Sequence, residues 1–157
     1  MKAKELSIQA HESIKQRRKY SDKPYYTHVI AVAEMVASVT DDVDVISAAY
    51  LHDVLEDVTP VNSFYNQDWI EREFGARVLN LVLELTNIYT KKDYPALNRR
   101  ERKHLEALRI SNMSDEAKLI KRADLHHNST ELDDSNFSRL WLEEKSFIDS
   151  LIGAWGY

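Results

Sequence analysis

The 157-residue chain contains no cysteine. Disulfides, thiolate zinc sites and a thiol nucleophile are therefore excluded, and any metal must be held by nitrogen and oxygen. Glycine is almost as scarce: Gly75, Gly153 and Gly156 are the whole complement, and none falls in a phosphate-cradling pattern. A P-loop and a GxGxxG dinucleotide turn are excluded in recognisable form. Apolar runs are short, and none approaches the roughly 18 residues of a membrane span. Residues 1–15 lack a secretory apolar segment, so the expected location is the cytoplasm. What is present is ample apolar material: 43% hydrophobic residues in a chain of one-domain length. A single domain over 1–157 is expected.

The formal net charge of −5 conceals an alternation. Residues 1–24 carry seven basic and three acidic side chains, whereas residues 25–90 carry two basic (Arg72 and Arg77) against eleven acidic. Residues 91–122 return to ten basic against five acidic, and residues 123–157 give two against seven. An acidic block suits a cation and a neighbouring basic block an anion, although solvated helix faces produce the same pattern. No contiguous basic face with interleaved aromatics is evident, so nucleic acid is not the expected partner.

The periodicity is helical nearly throughout, and the expected fold class is all-α. Leu6, Ala10 and Ile14 mark the apolar side of a first helix running to about residue 17, and Pro24 ends the polar turn that follows. Val29, Val32, Ala33 and Val36 define a second helix. A third, over about 45–55, is apolar around so much of its circumference that it should be central and buried. Trp69, Ile70 and Phe74 form a short helix closed by Gly75, and Val78, Leu79, Val82 and Leu85 continue as another. A polar loop over 87–97 precedes a basic helix over about 98–110. Ser114 is placed to cap a helix with Asp115 and Glu116 in its first turn, and a last helix spans about 137–152. Trp141, Phe147, Trp155 and Tyr157 are expected to pack on the core, with pocket closure or a dimer face as alternatives.

Four residues stand out on this scaffold: His28, the adjacent His52 and Asp53, and Asp124. A carboxylate inside an apolar helix needs a compensating cation or donor, because an unpaired buried charge is costly. Glu56 lies one helical turn beyond His52, and Asp57 one turn beyond Asp53. Two imidazoles and two carboxylates suit a divalent ion with positions open to water and substrate, and manganese or iron fits that mixed set. Such an ion acidifies bound water, Glu56 and Asp57 are candidates to orient or deprotonate it, and basic residues nearby would stabilise charge on a phosphoryl group. Metal-assisted hydrolysis of a phosphate ester is the reaction class that follows. Each residue has a structural alternative, Asp124 as a satisfied structural acid for one. His11 and His104 lie on polar segments and are expected at the surface, while His126 or His127 could support the Asp124 helix.

The same residues carry a resemblance. The segment from Ala10-His11-Glu12 through Arg17-Arg18-Lys19 to Pro24-Tyr25-Tyr26-Thr27-His28 is similar to the basic turn and first metal histidine of the HD-domain metal-dependent phosphohydrolases, specifically the RelA/SpoT-type alarmone hydrolases. Leu51-His52-Asp53-Val54-Leu55-Glu56-Asp57 resembles that family's central helix, and Phe74-Gly75-Ala76 through Leu85-Thr86 its next one. Lys118 through Asn128, containing Lys121-Arg122-Ala123-Asp124, resembles the motif that bears the fourth ligand. The turn between Lys19 and His28 lacks the family's frequent glycine, and the 87–97 loop matches no family pattern.

The resemblance implies a compact HD-domain helical bundle with one manganese ion on His28, His52, Asp53 and Asp124. Glu56 and Asp57 would position and activate water, while Arg18, Lys19, Lys121 and Asn128 would meet the nucleotide. The implied reaction removes the 3′-pyrophosphate of (p)ppGpp, giving GDP or GTP and pyrophosphate, in a stand-alone small hydrolase. Another nucleotide substrate, such as a nucleoside monophosphate or NADPH, and a non-catalytic nucleotide-binding module are the competing readings.

Overall fold

A computed structural model describes residues 1–156, and among these the chain is all-α, without strands. It divides into two compact units, residues 1–86 and 87 onward.

The first unit begins with α1 (Lys2–Ser13) and α2 (Tyr26–Ala37). On α1 the buried positions are Ala3, Ser7, Ala10 and His11. The buried face is thus rotated away from the expected one, and Leu6 and Ile14 are only half-buried. Small side chains explain the rotation: they let the helix backbone approach α3 (Val43–Leu51), where Ser7 Oγ donates to the Tyr50 carbonyl at 2.6 Å. The α2 stripe is the expected one, Val29, Val32, Ala33 and Val36, and it carries the fully buried His28 with it.

Asp42 caps α3, accepting from Asp44 N at 3.1 Å, and its carboxylate also takes both terminal nitrogens of Arg77 at 2.9 and 2.8 Å. From Val45 to Leu51 every residue but Ile46 is buried, as expected for a central helix. It does not continue as α-helix to residue 55. After His52 and Asp53 the chain passes into a π-helical segment, Val54–Val58, in which Thr59 N reaches back five residues to the Val54 carbonyl at 3.0 Å. Helices α4 (Gln67–Phe74) and α5 (Ala76–Leu85) complete the unit. They meet at Gly75, whose φ of 91° is open to glycine and strained for any other residue.

In the second unit, residues 87–97 form the expected loop. The buried Glu106 carboxylate fastens it, accepting from Ile88 N and Tyr89 N, each at 2.7 Å. Helix α6 (Arg99–Ser111) opens with a reciprocal capping box between Asn98 and Glu101. Helix α7 (Asp115–Ser129) starts at the expected Ser114 cap, which accepts from Ala117 N at 3.2 Å. Helix α8 (Asn136–Ile152) is tied to α6 by the paired hydrogen bonds of Arg99 to Glu144 at 3.0 and 2.8 Å. The expected core packing of the C-terminal aromatics does not hold. Phe147 is exposed and stacks on the ring of the exposed His104, Trp141 and Trp155 are half-buried, and Tyr157 lies outside the described residues.

Candidate metal centre

Within the first unit, α2 and the end of α3 bring His28, His52 and Asp53 together. One ligand atom of each lies within 4.8 Å of the others. Asp53 Oδ2 stands 3.1 Å from His52 Nε2 and 3.7 Å from His28 Nε2. The two imidazoles face each other edge-on, with centroids 5.4 Å apart, and all three residues are buried.

The hydrogen bonds around the trio decide where the lone pairs point. His52 Nδ1 lies 2.7 Å from the Ala49 carbonyl, so it carries a proton, and in the neutral ring Nε2 then presents its lone pair toward Asp53. Tyr25 O–H donates to Asp53 Oδ2 at 2.7 Å. A neutral imidazole nitrogen and a carboxylate oxygen, both acceptors, therefore stand 3.1 Å apart in a buried site. Such a pair needs a proton or a cation between its lone pairs. Adjacent ligands on an octahedral ion with bonds of about 2.1 Å lie about 3 Å apart, so the spacing and the N/O donor set fit a divalent metal ion.

The π segment places Glu56 and Asp57 next to this trio, both half-buried. Burial, with the Asp53 and Glu56 carboxylates beside it, pushes the Asp57 carboxyl up to about 7. A hydrogen bond from Gln16 Nε2 to Asp57 Oδ2, 3.2 Å long, opposes that rise.

Arg18 and Lys19 sit in a tight turn closed by an antiparallel bridge between Arg17 and Pro24 and by Arg18 N donating to the Lys23 carbonyl at 2.9 Å. The Arg18 guanidinium lies over the Tyr25 ring at 5.4 Å, and Lys19 Nζ over Tyr20 at 5.3 Å. In the second unit, α7 carries Asp124, buried, with Lys121 Nζ at 3.1 Å from Oδ2 and Asn128 Nδ2 donating to Oδ1 at 3.2 Å. Lys121 and Asn128, expected at the nucleotide, both bond this carboxylate. His126 is exposed, and His127 lies 3.8 Å from Glu131.

Three residues near the trio escaped the sequence reading of the site: Tyr25, Gln16 and His11. His11 was expected at the surface, and it is fully buried. Burial pushes its imidazole below the ordinary value, partly offset by the 2.8 Å hydrogen bond to Gln16 Oε1. The available signal was the stripe Ala3-Ser7-Ala10, which places His11 on the packed side of α1 once small residues are counted as core.

A helical chain with a buried His-Asp pair, a second imidazole from the preceding helix and two further carboxylates beside it defines a class. The chain belongs to the HD-domain family, whose model matches residues 3–139. Among curated proteins it is similar to the guanosine-3′,5′-bis(diphosphate) 3′-pyrophosphohydrolase MESH1 of Drosophila melanogaster, 37% identical over 144 residues that make up 89% of this chain and 73% of the relative. The MESH1 protein of Homo sapiens is 40% identical over 121 residues, 74% of this chain and 61% of the human protein. Among solved structures, one described as a metazoan ortholog of SpoT that hydrolyzes ppGpp superposes with a TM-score of 0.73 at 29% identity, covering 97% of this chain and 86% of the other. The lmo0812 structure from Listeria monocytogenes EGD-e, at 21% identity and a TM-score of 0.63, shares the fold.

Proposed function

We propose that the protein is a manganese-dependent (p)ppGpp 3′-pyrophosphohydrolase. The similarity to a named 3′-pyrophosphohydrolase along 89% of the chain carries the proposal. The arrangement of His28, His52 and Asp53 beside Glu56 and Asp57 supplies the chemistry. The family model runs through both compact units, which supports reading 1–157 as one HD-type domain.

In this reading His28, His52 and Asp53 hold the ion, and Asp124, the buried carboxylate of α7, is the fourth ligand. When bound, the ion supplies Lewis acidity to water and to the phosphoryl oxygens. Glu56 and Asp57 orient the attacking water, and Asp57, with its carboxyl raised to about 7, takes its proton near neutral pH. Water adds to the phosphorus at the 3′ position, the bond from that phosphorus to the 3′ oxygen breaks, and pyrophosphate leaves GDP or GTP behind. Arg18 and Lys19 meet the base or phosphates from the 17–24 turn. Lys121 and Asn128, besides orienting Asp124, meet the phosphate and the sugar. A free nucleotide as substrate is consistent with the cytoplasmic location expected from the sequence.

The test is incubation of the purified protein with ppGpp and Mn2+, in which stoichiometric pyrophosphate is the expected product. Orthophosphate released from a nucleoside monophosphate or NADPH, with ppGpp untouched, would reassign the substrate. Nucleotide binding without turnover, by protein shown to contain metal, would make the chain a binding module. Elemental analysis of His52→Ala, Asp53→Ala and Asp124→Ala should find the metal lost from each, and wild-type metal content in Asp124→Ala would remove Asp124 from the ligand set.

A further inference from the structure

The Asp57 carboxylate is not held by its own helix alone. In its ionised form, the one the proposed base needs, the Asp57 carboxylate offers only lone pairs, so the Gln16 atom facing Oδ2 at 3.2 Å is the amide nitrogen. The amide carbonyl therefore faces the other way, toward His11 Nδ1 at 2.8 Å, and that nitrogen must carry a proton. The imidazole is fully buried on α1 and packs against the Tyr25 ring with centroids 5.1 Å apart. Its other nitrogen, Nε2, is buried without a hydrogen-bond partner.

Two features of this arrangement cost stability. An unpartnered buried polar nitrogen loses its hydration without replacement, and a phenyl ring of similar volume would avoid that cost. The backbone must also be bent to bring Gln16 under His11. Lys15 adopts a left-handed φ of 52°, unusual for a non-glycine residue, and Gln16 N turns back to the His11 carbonyl at 3.3 Å. The strained Lys15 and the half-satisfied imidazole serve one geometric result: a fixed amide under Asp57.

We infer that His11 and Gln16 are positioning residues, a two-link hydrogen-bonded brace that sets the orientation of the Asp57 carboxylate and thereby kcat. The brace occupies Oδ2, so that the proton of water is taken at Oδ1. This rests on the assignment of Asp57 as the base in the hydrolysis proposed above. Neither His11 nor Gln16 touches the substrate in this scheme; both act through Asp57.

Paired substitutions separate a brace from simple packing. His11→Phe preserves ring volume and the Tyr25 contact but removes the N–H donor, and kcat is expected to fall about tenfold or more with KM and manganese content unchanged. His11→Asn leaves a cavity yet keeps an amide N–H near the Nδ1 position, so it should melt lower while retaining most of kcat. A purely structural histidine gives the reverse order, with phenylalanine tolerated and asparagine impaired, and that order would overturn the inference. So would a loss confined to KM or to metal content. A second readout does not depend on turnover: 15N spectra of the metal-free protein should show His11 as the neutral Nδ1–H tautomer. An Nε2–H tautomer would refute the brace whether or not ppGpp is hydrolysed, whereas failure of wild type to hydrolyse ppGpp with the expected tautomer present would fault only the substrate assignment.

Discussion

At the level of single residues, the site is organised by who donates to whom. Asp53 accepts from Tyr25 at 2.7 Å while standing 3.1 and 3.7 Å from two imidazole nitrogens, so Tyr25 orients the carboxylate of the proposed metal site. Such supporting partners are worth about 10–100-fold in metal affinity. Tyr25→Phe, which removes only the hydroxyl, should weaken manganese binding within that range, measured by competition with a chelating indicator. Asp57 gives a pH signature. Its carboxyl is raised from 3.8 to about 7, chiefly by burial. A group whose folded value is raised contributes stability that is full below its unfolded value and lost as pH climbs through the folded one. Between pH 4 and pH 7, metal-free wild type should lose stability relative to Asp57→Asn, by more than about 1.4 kcal/mol, in urea titrations at several pH values. In the proposed hydrolysis the same carboxyl must be ionised, so kcat in wild type should fall at acid pH, and a bound dication, which favours the carboxylate, should carry that fall below the metal-free value of about 7.

At the level of elements, local signals placed most helices well and failed at one informative spot. Ser114 caps its helix as expected, and Asn98, read as about the start of the basic helix, caps it in a reciprocal box with Glu101. The stretch after His52-Asp53, to residue 55, looked like continuing α-helix because the apolar run over 45–55 covers most of a helix's circumference. It is π-helical instead, and π turns recur at functional sites because they redirect side chains at a small cost in hydrogen-bond geometry. No periodicity in a short run of mostly apolar residues distinguishes the two. The 87–97 loop was legible as a loop but its restraint was not. Glu106 lies 17 and 18 residues beyond the two N–H groups it holds, and Arg109 Nε donates to the same carboxylate at 2.9 Å. Glu106→Ala strands these donors and should cost at least about 2 kcal/mol. Limited trypsin digestion should then cut at the exposed Lys91 and Lys92 faster than in wild type.

At the level of the whole molecule, metal binding and folding are linked. An ion that binds only the folded chain stabilises it by about 2.7 kcal/mol at a concentration one hundred times its Kd. Manganese should therefore raise the melting temperature of wild type, chelation should reverse the rise, and His52→Ala should abolish the response. The acidic stretch over 25–90, with two basic side chains against eleven acidic, contains His28, His52, Asp53, Glu56 and Asp57. A bound dication offsets part of that charge. The sequence by itself determined the helical class, the Ser114 cap and the donor chemistry: nitrogen and oxygen without sulfur, and no glycine loop for phosphate. Those properties follow from composition and from spacing within one helix, which are local. Only the tertiary structure decided that Gln16 reaches Asp57 across 41 residues of sequence, that Tyr25 holds Asp53 across 28, and that His11 is core and not surface. The first and the last depend on the small residues of α1 that let it settle against α3, and the second on α2 lying beside the end of α3, closeness that is a property of packing between helices.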